Sequence, residues 1–355
     1  GPGPLRARVA RRKPRQRLDR SSFTALARGA FEASAAGLAD GQDHDRLIDA
    51  DLGPGAGASA GAALDPTAEA AERVPLADLV AGTRLGTGMH LLLERIDFRG
   101  DPIGWRQQAE QLARRRALPA EAVEPLLGSL NTLVQTPLGH GALDFRLADL
   151  SRRDRIDEMG YVLPVALEAA AGRFVPPGAA GGAPRDRRTA PGSAAFPRVG
   201  PADLARVLAA HPGGGLPEDY PRQLERLPAQ AIAGWLRGSL DLVFRRPGPQ
   251  GAACWYLIDW KSNRLGRHWS DYAPERLAQA MAQHHYFLQA HLYTLALHRH
   301  LARHAGYDYA TGFGGFLYVF VRGMHPDRPG SGVLFDRPPL ARIEALDALL
   351  REGRR

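Results

Sequence analysis

The sequence lacks most of the features that crosslink a protein or anchor it in a membrane. Its single cysteine, Cys254, excludes an internal disulfide framework and a four-cysteine zinc or iron–sulfur site, and it is typical of a reducing compartment. No apolar run approaches the roughly 20 residues that span a bilayer, and no secretory signal pattern opens the chain. A P-loop motor is excluded from this chain because it contains no Gly-x-x-x-x-Gly-Lys-Ser/Thr phosphate loop. We therefore expect a cytoplasmic protein that does not bind membranes.

Lysine is scarce although the chain is basic. Lysine and arginine together number 46 against 38 acidic residues, which gives a net charge of +8. Such a surplus favours a polyanionic partner such as nucleic acid, and the alternative is a general arginine bias of the composition. Of these cations 44 are arginines, and only Lys13 and Lys261 are lysines. Lys13 lies in a basic run, whereas Lys261 follows Asp259 by two residues. A lone lysine in an arginine-rich chain indicates a position that needs a compact ammonium group.

Composition divides the chain into three parts. Residues 1–20 are basic and contain proline, which predicts a flexible arm. Residues 21–66 form an N-terminal segment that ends in a Gly- and Ala-rich linker. The main folded domain is then residues 67–355, with a Pro- and Gly-rich insertion at about 173–200.

Hydrophobic patterns within the main domain predict both helices and strands. Thr87 is the expected N-cap of a helix, which would place His90 in its first turn. Pro274 is expected to begin a helical stretch that runs to about residue 304 with at most one break. Strands are predicted at 155–165, where one carries Glu158, and at 238–246, 254–261 and 314–321. This element order predicts an α/β or α+β core with a mixed sheet.

The two middle strands are predicted to form a hairpin across the turn PGPQG. A symmetric hairpin places Asp241 opposite Asp259, and because alternate residues of a strand share a face, Asp259 and Lys261 point the same way. The same alternation predicts the faces of the neighbouring residues. On the first strand, Ser239 and Val243 share the face of Asp241, and the opposite face holds Leu240, Leu242 and Phe244. On the second strand, Trp255 and Leu257 share the face of Asp259, and the opposite face holds Tyr256, Ile258 and Trp260.

Opposed carboxylates in a strand pair indicate a cation site. Asp241 and Asp259 would repel each other unless a cation lies between them or one is protonated, and their hard oxygen ligands suit Mg²⁺ or Mn²⁺. The ammonium of Lys261 would then orient a water or offset charge on a phosphorane-like transition state. This combination predicts phosphodiester hydrolysis. The alternative is an exposed edge hairpin whose Asp and Lys form a cross-strand salt network.

These residues also carry a resemblance to a known family. The chain resembles the RecB family, in particular the C-terminal nuclease domain of the beta subunit of the RecBCD exonuclease, from about residue 21 to its end apart from the two low-complexity stretches. The family belongs to the PD-(D/E)xK nuclease superfamily, so the resemblance implies a restriction-endonuclease-like sheet flanked by helices and makes residues 67–355 a nuclease domain. The matching motifs are GTGMHLLLE (86–94), GSLDLVF (238–244), YLIDWKSNRLG (256–266), LQAHLYTLALHRHL (288–301) and GGFLYVFVRGM (314–324).

The resemblance also implies roles for individual residues. It makes Asp259 and Lys261 catalytic, and it makes the side chains of His90, Asp241 and Asp259 and the backbone carbonyl of Trp260 the metal ligands. Gln289 and Tyr293 match the Gln-x-x-x-Tyr motif of the family, and with Glu158 they are expected to support the site or hold DNA. The implied cofactor is Mg²⁺, with Mn²⁺ as a substitute and Ca²⁺ as an inhibitory occupant.

Function and partners follow from the same resemblance. It implies a Mg²⁺-dependent exodeoxyribonuclease in helicase-coupled double-strand break repair and recombination, acting on single-stranded DNA and duplex ends. RecC-like and RecD-like subunits and a RecB-type helicase portion would be its protein partners. The alternative is a catalytically silent module of the same fold for DNA binding and subunit docking. The remaining histidines of the long helical stretch lack carboxylate or cysteine partners at ligand spacing, so we expect them to pack or to face DNA; they are His284, His285, His291, His298 and His300.

Overall fold

The computed structural model describes residues 19–21, 73–166, 198–227, 232–248 and 251–353. The predicted arm, linker and Pro/Gly-rich insertion lie outside these residues except at their ends, so the proposed domain division stays a prediction. The strands are β1 (Asp19–Ser21), β2 (Arg155–Val165), β3 (Gly234–Pro247), β4 (Ala253–Lys261), β5 (Phe313–Phe320) and β6 (Val333–Asp336). The α-helices are α1 (Thr83–Arg95), α2 (Pro102–Arg114), α3 (Val123–Gln135), α4 (Pro201–Ala210), α5 (Tyr220–Glu225), α6 (Pro274–Gln283), α7 (Tyr286–Leu301), α8 (Tyr309–Gly312) and α9 (Leu340–Glu352).

The strands form one mixed sheet around β3. Strand β2 runs antiparallel along one edge of β3, while the other edge pairs with parallel β1 near Gly234 and with antiparallel β4 from Leu242 onward. Strand β5 then pairs parallel to β4, and β6 pairs antiparallel to β5. Helices cover both faces of this sheet, so the predicted α/β class with a mixed, helix-flanked sheet is confirmed.

Two hydrophobic clusters lie on opposite faces of the sheet. Helices α4 to α7 and α9 pack on one face, where every residue of α7 from Tyr286 to Leu297 is buried. Helices α1, α2 and α3 pack on the other face, over β4, β5 and the second half of β3. No helix within the described ranges is long and apolar enough to cross a membrane.

Helix α1 begins earlier than predicted. Its first residue is Thr83 and its N-cap is Gly82, so Thr87 is not the cap and His90 lies in the helix interior rather than in the first turn. Gly88 lies inside the helix, where a Cβ would lie 2.6 Å from a side-chain atom of Leu118. This glycine therefore permits a close approach between the helix and the segment after α2, and it does not end the helix.

The hairpin register is confirmed. Leu242 pairs with Ile258 and Val243 with Leu257, as a turn centred on Gln250 requires, and Asp241 and Asp259 follow directly beyond the last pair. The predicted sharing of faces on β4 is also confirmed, because Trp255 and Leu257 lie in the α7 cluster, and Tyr256, Ile258 and Trp260 lie in the α1 cluster.

The predicted alternation on β3 is wrong before Leu242: Leu240 does not share a face with Leu242 and Phe244, and Ser239 does not share one with Val243. Leu240 packs into the α7 cluster together with Val243, and only Leu242 and Phe244 pack into the α1 cluster. The alternation therefore shifts by one residue between Leu240 and Val243. The shift coincides with Glu158 of β2, whose backbone is in the left-handed region at φ 50° and which the register sets beside Asp241.

The other predicted elements agree with the structure to within a few residues. Pro274 begins α6, and the helical stretch is interrupted once, where His285 has a φ of 55°. Strand β2 has the predicted bounds, and β3 starts at Gly234, four residues before the predicted strand. The predicted strand over 314–321 corresponds to β5.

Candidate active site

Four predicted site residues meet where β3, β4 and α1 converge. Asp241 comes from β3, Asp259 and Lys261 from the C-terminal end of β4, and His90 from α1. All four are buried, with exposed fractions between 0% for Lys261 and 4% for His90 and Asp241. An exposed edge hairpin with a salt network is therefore excluded as the explanation of this carboxylate and lysine pattern.

Lys261 is surrounded by groups that stabilise a buried cation. Its Nζ lies 2.5 Å from Asp259 Oδ2 and donates a hydrogen bond to Gln289 Oε1 at 3.2 Å. The same Nζ lies 3.8 Å from the centroid of the Tyr286 ring and 5.0 Å from that of Tyr318. A negative charge, a carbonyl dipole and two aromatic faces thus offset the loss of hydration.

Gln289 and Tyr293 lie directly behind the lysine. They are one turn apart on α7, as their spacing predicted, and Gln289 Nε2 donates to the Tyr293 hydroxyl at 2.9 Å. Gln289 Oε1 also accepts from the Tyr318 hydroxyl at 2.9 Å. Both residues are at most 1% exposed, so they contact the lysine network rather than the protein surface.

Asp241 has one oxygen in a hydrogen bond and one without. Its Oδ2 accepts from the backbone N–H of Trp260 at 2.8 Å and lies 3.4 Å from His90 Nδ1. Its Oδ1 is buried with no hydrogen-bond partner among the described residues. Burial is the largest influence on Asp241 and raises its pKa, but His90, Lys261 and the Trp260 N–H together hold the pKa below the usual range of an aspartate.

Glu158 lies next to this carboxylate. His90, Glu158 and Asp241 each offer a potential ligand atom, and these atoms lie within 4.8 Å of one another. Glu158 is further oriented by Ser239, whose hydroxyl donates to Oε2 at 2.7 Å. The predicted ligand set differs from this one, because it includes Asp259 and the Trp260 carbonyl and assigns Glu158 a supporting role.

The donor chemistry of the site fits a divalent cation. An imidazole and two carboxylates converge, and a buried carboxylate oxygen without a hydrogen bond is costly unless another group binds it. Asp259 lies one residue beyond the hairpin ladder and is paired with Lys261.

Arg322 fixes the chain after Lys261 and was not among the predicted site residues. Its guanidinium is 2% exposed and donates to three backbone carbonyls: Ser262 at 2.8 Å, Leu76 at 2.7 Å and Leu79 at 2.8 Å. The signal in the sequence was an arginine directly after the apolar run of β5. Its position inside the motif GGFLYVFVRGM marked it, but the pattern gave no contact for it.

The histidines of the helical stretch are packing residues where they are buried. His291 Nδ1 faces the Phe287 carbonyl oxygen at 2.6 Å, so this nitrogen carries the proton, and Nε2 accepts from Arg342 Nη1 at 3.0 Å. His285 Nδ1 lies 3.4 Å from the Tyr220 hydroxyl. The described residues bring neither histidine into a ligand cluster.

Comparison with known proteins identifies the relatives of the chain. No protein-family model matches it. The chain is 33% identical to the RecBCD enzyme subunit RecB of Mycobacterium tuberculosis, over 94% of this chain and 29% of that protein. It is 33% identical to RecB of Haemophilus influenzae, over 77% of this chain and 19% of that protein. It is 31% identical to RecB of Escherichia coli, over 76% of this chain and 19% of that protein. The chain thus spans less than a third of the length of the curated relatives it matches, and the matched region is their C-terminal part. Its resemblance to the RecB family is therefore confirmed.

Proposed function

We propose that this chain is a Mg²⁺-dependent deoxyribonuclease domain that acts in the cytoplasm in helicase-coupled double-strand break repair and recombination. One observation carries the proposal: a buried lysine–aspartate pair adjoins a cluster of His90, Glu158 and Asp241 in which a carboxylate oxygen has no hydrogen bond. An acidic cluster with an adjacent ammonium group is the arrangement that phosphodiester hydrolysis requires.

The metal is assigned to the carboxylate side of the site. His90 and Asp241 belong both to the set implied by the resemblance and to the geometric cluster, and we add Glu158 as a third ligand. Asp259 and the Trp260 carbonyl are retained as the ligands that the resemblance implies. Mg²⁺ held by these residues would supply a Lewis acid that polarises the phosphate and lowers the pKa of a bound water.

Lys261 is assigned to the transition state. Its ammonium offsets the negative charge that develops on the phosphate oxygens, and it acts strongly because the surroundings are buried. Asp259 and Gln289 hold the ammonium at a fixed position, and Tyr293 in turn holds Gln289. The protein therefore positions the cation before the substrate arrives, which lowers the reorganisation needed during reaction.

The substrate and partners are proposed from the relatives. Their names describe subunits of the RecBCD enzyme, so we propose single-stranded DNA and duplex ends as substrates of this chain. RecC-like and RecD-like subunits and a RecB-type helicase portion are the proposed protein partners. The surplus of arginine supports a polyanionic substrate.

A cleavage assay tests the proposal. Linear single-stranded and duplex DNA are incubated with the full chain in Mg²⁺, Mn²⁺, Ca²⁺ or EDTA. Asp241→Asn and Lys261→Met are expected to reduce cleavage by about 100-fold or more, since each removes a charge from the reacting centre. Asp327→Asn is the matched control, because its side chain is 88% exposed and should leave cleavage unchanged.

A catalytically silent DNA-binding and docking module is the second candidate. The near-complete burial of the four core side chains favours it, since a substrate phosphate must reach them. A silent module binds DNA equally well in Mg²⁺ and EDTA and cuts none in any metal. Metal-dependent cleavage that survives Asp241→Asn would contradict the assignment of the site, and absence of cleavage with DNA binding intact would favour the module.

A further inference from the structure

The first half of β3 has an open face. Helices α1, α2 and α3 cover the sheet only from Leu242 onward, so the residues before the shift in alternation lack a helix above them among the described elements. Leu236 and Leu240 point into the α7 cluster, and a Cβ on Gly238 would meet Tyr161 of the same cluster. Trp235, Arg237 and Ser239 therefore point to the opposite face, which none of the described helices covers.

This face joins two strands and ends at the candidate metal cluster. Trp235 on β3 is 40% exposed, and Val162 on β2 is 59% exposed. Arg237 is also exposed and is the register partner of Val162. Ser239, the next residue on this face, donates to Glu158 of the cluster. We define the open face by six residues that the register pairs across β2 and β3: Gly160 with Ser239, Val162 with Arg237, and Pro164 with Trp235.

We propose that the open face binds single-stranded DNA and leads it to the metal cluster, with Trp235 stacking on a base and Arg237 contacting a phosphate. An exposed indole next to a guanidinium is the combination with which proteins bind single strands without sequence preference, because every base has an aromatic face and every linkage a charge. The inference rests on the proposed function only in naming DNA cleavage as the reaction at the end of the open face.

The geometry commits the face to a nucleic acid strand. Its polar groups lie in the order guanidinium, hydroxyl, carboxylate cluster, and its last member already bonds to Glu158. Asp241 lies six positions after Trp235, which is about 20 Å of strand. At 3.4 Å per stacked nucleotide this corresponds to roughly six nucleotides, and to fewer when the strand is stretched.

Fluorescence provides a direct measurement. Of the five tryptophans, Trp105, Trp260 and Trp269 are buried and Trp255 is half-buried, so Trp235 is the exposed one. The full chain is titrated with a 12-mer of thymidylate in EDTA, where no metal-dependent cleavage occurs. Stacking of thymine on Trp235 is expected to quench the fluorescence, and Trp235→Phe is expected to bind with similar affinity but without that quenching.

Two further variants test the affinity. Trp235→Ala is expected to weaken binding of the 12-mer about 5- to 100-fold, and Arg237→Gln is expected to weaken it and to reduce the slope of log affinity against log salt by about 0.7. Matched controls are Ile103→Ala, at a residue that is 70% exposed on α2, and Arg303→Gln, at an exposed arginine beyond α7. Both controls should bind as the unaltered chain does.

The outcomes separate this inference from the proposed function. If Trp235→Ala and Arg237→Gln bind the 12-mer with the affinity and salt slope of the unaltered chain, the open face does not bind single-stranded DNA, whatever the chain does in Mg²⁺. A protein partner would then be the remaining occupant of the open face. If these variants lose binding while the unaltered chain cuts no DNA, the proposed nuclease function is wrong and DNA binding by the open face is supported. In Mg²⁺, DNA binding by the open face further requires that Trp235→Ala slows cleavage of the 12-mer more than cleavage of a trinucleotide.

Discussion

The two sides of the candidate site are built differently. On one side Lys261 is held by Asp259, by Gln289 and by the faces of two tyrosines, so its charge is fully matched by protein groups. On the other side Asp241 has a buried oxygen with no hydrogen bond among the described residues, next to His90 and Glu158. The comparison separates two roles: the charge of Lys261 is already held in place by protein groups, whereas a buried carboxylate oxygen without a hydrogen bond, as on Asp241, is suited to bind a cation.

Removing the lysine should produce the largest effect on stability. Lys261→Met leaves Asp259 buried without its cation, and breaking a buried ion pair in this way costs about 3–5 kcal/mol. The free energy of unfolding, measured by urea titration, is the readout. Lys261→Met combined with Asp259→Leu should recover part of this loss, because the uncompensated charge is removed as well. Equal losses in the single and double variants would show that the pair is not coupled.

Changing the carboxylate on the other side should affect metal binding more than folding. Asp241→Asn should alter the free energy of unfolding in EDTA by much less than Lys261→Met does. It should, however, abolish the stabilisation by Mg²⁺ or Mn²⁺, which for the unaltered chain is about 2.7 kcal/mol at a metal concentration of 100 times Kd. Thermal unfolding with and without metal measures this. A metal-dependent rise in Tm that persists in Asp241→Asn would place the cation elsewhere.

The support behind Lys261 should respond in graded steps. Gln289→Leu removes the acceptor for Lys261 and Tyr318 and the donor to Tyr293, which should cost about 1–3 kcal/mol because buried polar groups lose their partners. Tyr293→Phe removes a single hydroxyl and should cost about 0.5–1.5 kcal/mol. Urea unfolding of both variants gives the order, and a larger cost for Tyr293→Phe would contradict the network.

The smallest effect at neutral pH is expected at His291, on the same helix as Gln289. Burial, assisted by the charge of Arg342, lowers the pKa of His291 to about 3. Above pH 6.5, the usual pKa of histidine in the unfolded chain, the imidazole is neutral in the folded and the unfolded chain, so its titration does not change the free energy of unfolding. Between pH 6.5 and 3 only the unfolded chain takes up the proton, so the free energy of unfolding falls by about 1.4 kcal/mol per pH unit for this group.

Replacing this histidine tests the sign of that dependence. His291→Gln should be less stable at pH 7, because its contacts to Arg342 and Phe287 change. Its stability should nevertheless decline less steeply than that of the unaltered chain as the pH falls from 6 to 4, by about one proton in the slope. Urea titrations at several pH values measure both slopes, and identical slopes would show that His291 is protonated in the folded chain.

Local rules sufficed to predict the hairpin. The turn residues and the period of two predicted the register, so the placement of Asp241 opposite Asp259 and of Lys261 on the same face as Asp259 could be predicted from sequence. The same rules failed one residue away, at Leu240. The shift there coincides with the left-handed backbone of Glu158, which belongs to a contact between β2, β3 and α1 that no local pattern encodes.

The missed features share a physical cause. Thr87 was predicted to cap α1, but the helix begins at Thr83, and the packing against Leu118 explains why Gly88 lies inside it. Arg322 is a buried cation held by carbonyls from Ser262, Leu76 and Leu79, and backbone carbonyls have no signature in the sequence. Positions set by distant segments therefore had to come from the structure or, for Glu158, Gln289 and Tyr293, from the resemblance to relatives.

The clamp formed by Arg322 has a consequence for how the chain folds. It joins residues 246 positions apart in the sequence, Arg322 and Leu76, and through Ser262 it sets the backbone beside Lys261. Contacts of such long range form late, because the entropy of closing the loop must be overcome before they contribute any stability. In refolding from denaturant, the protein should regain its helical signal before its site is assembled. A chain that is still being synthesised therefore holds the separate parts of the site without the site itself.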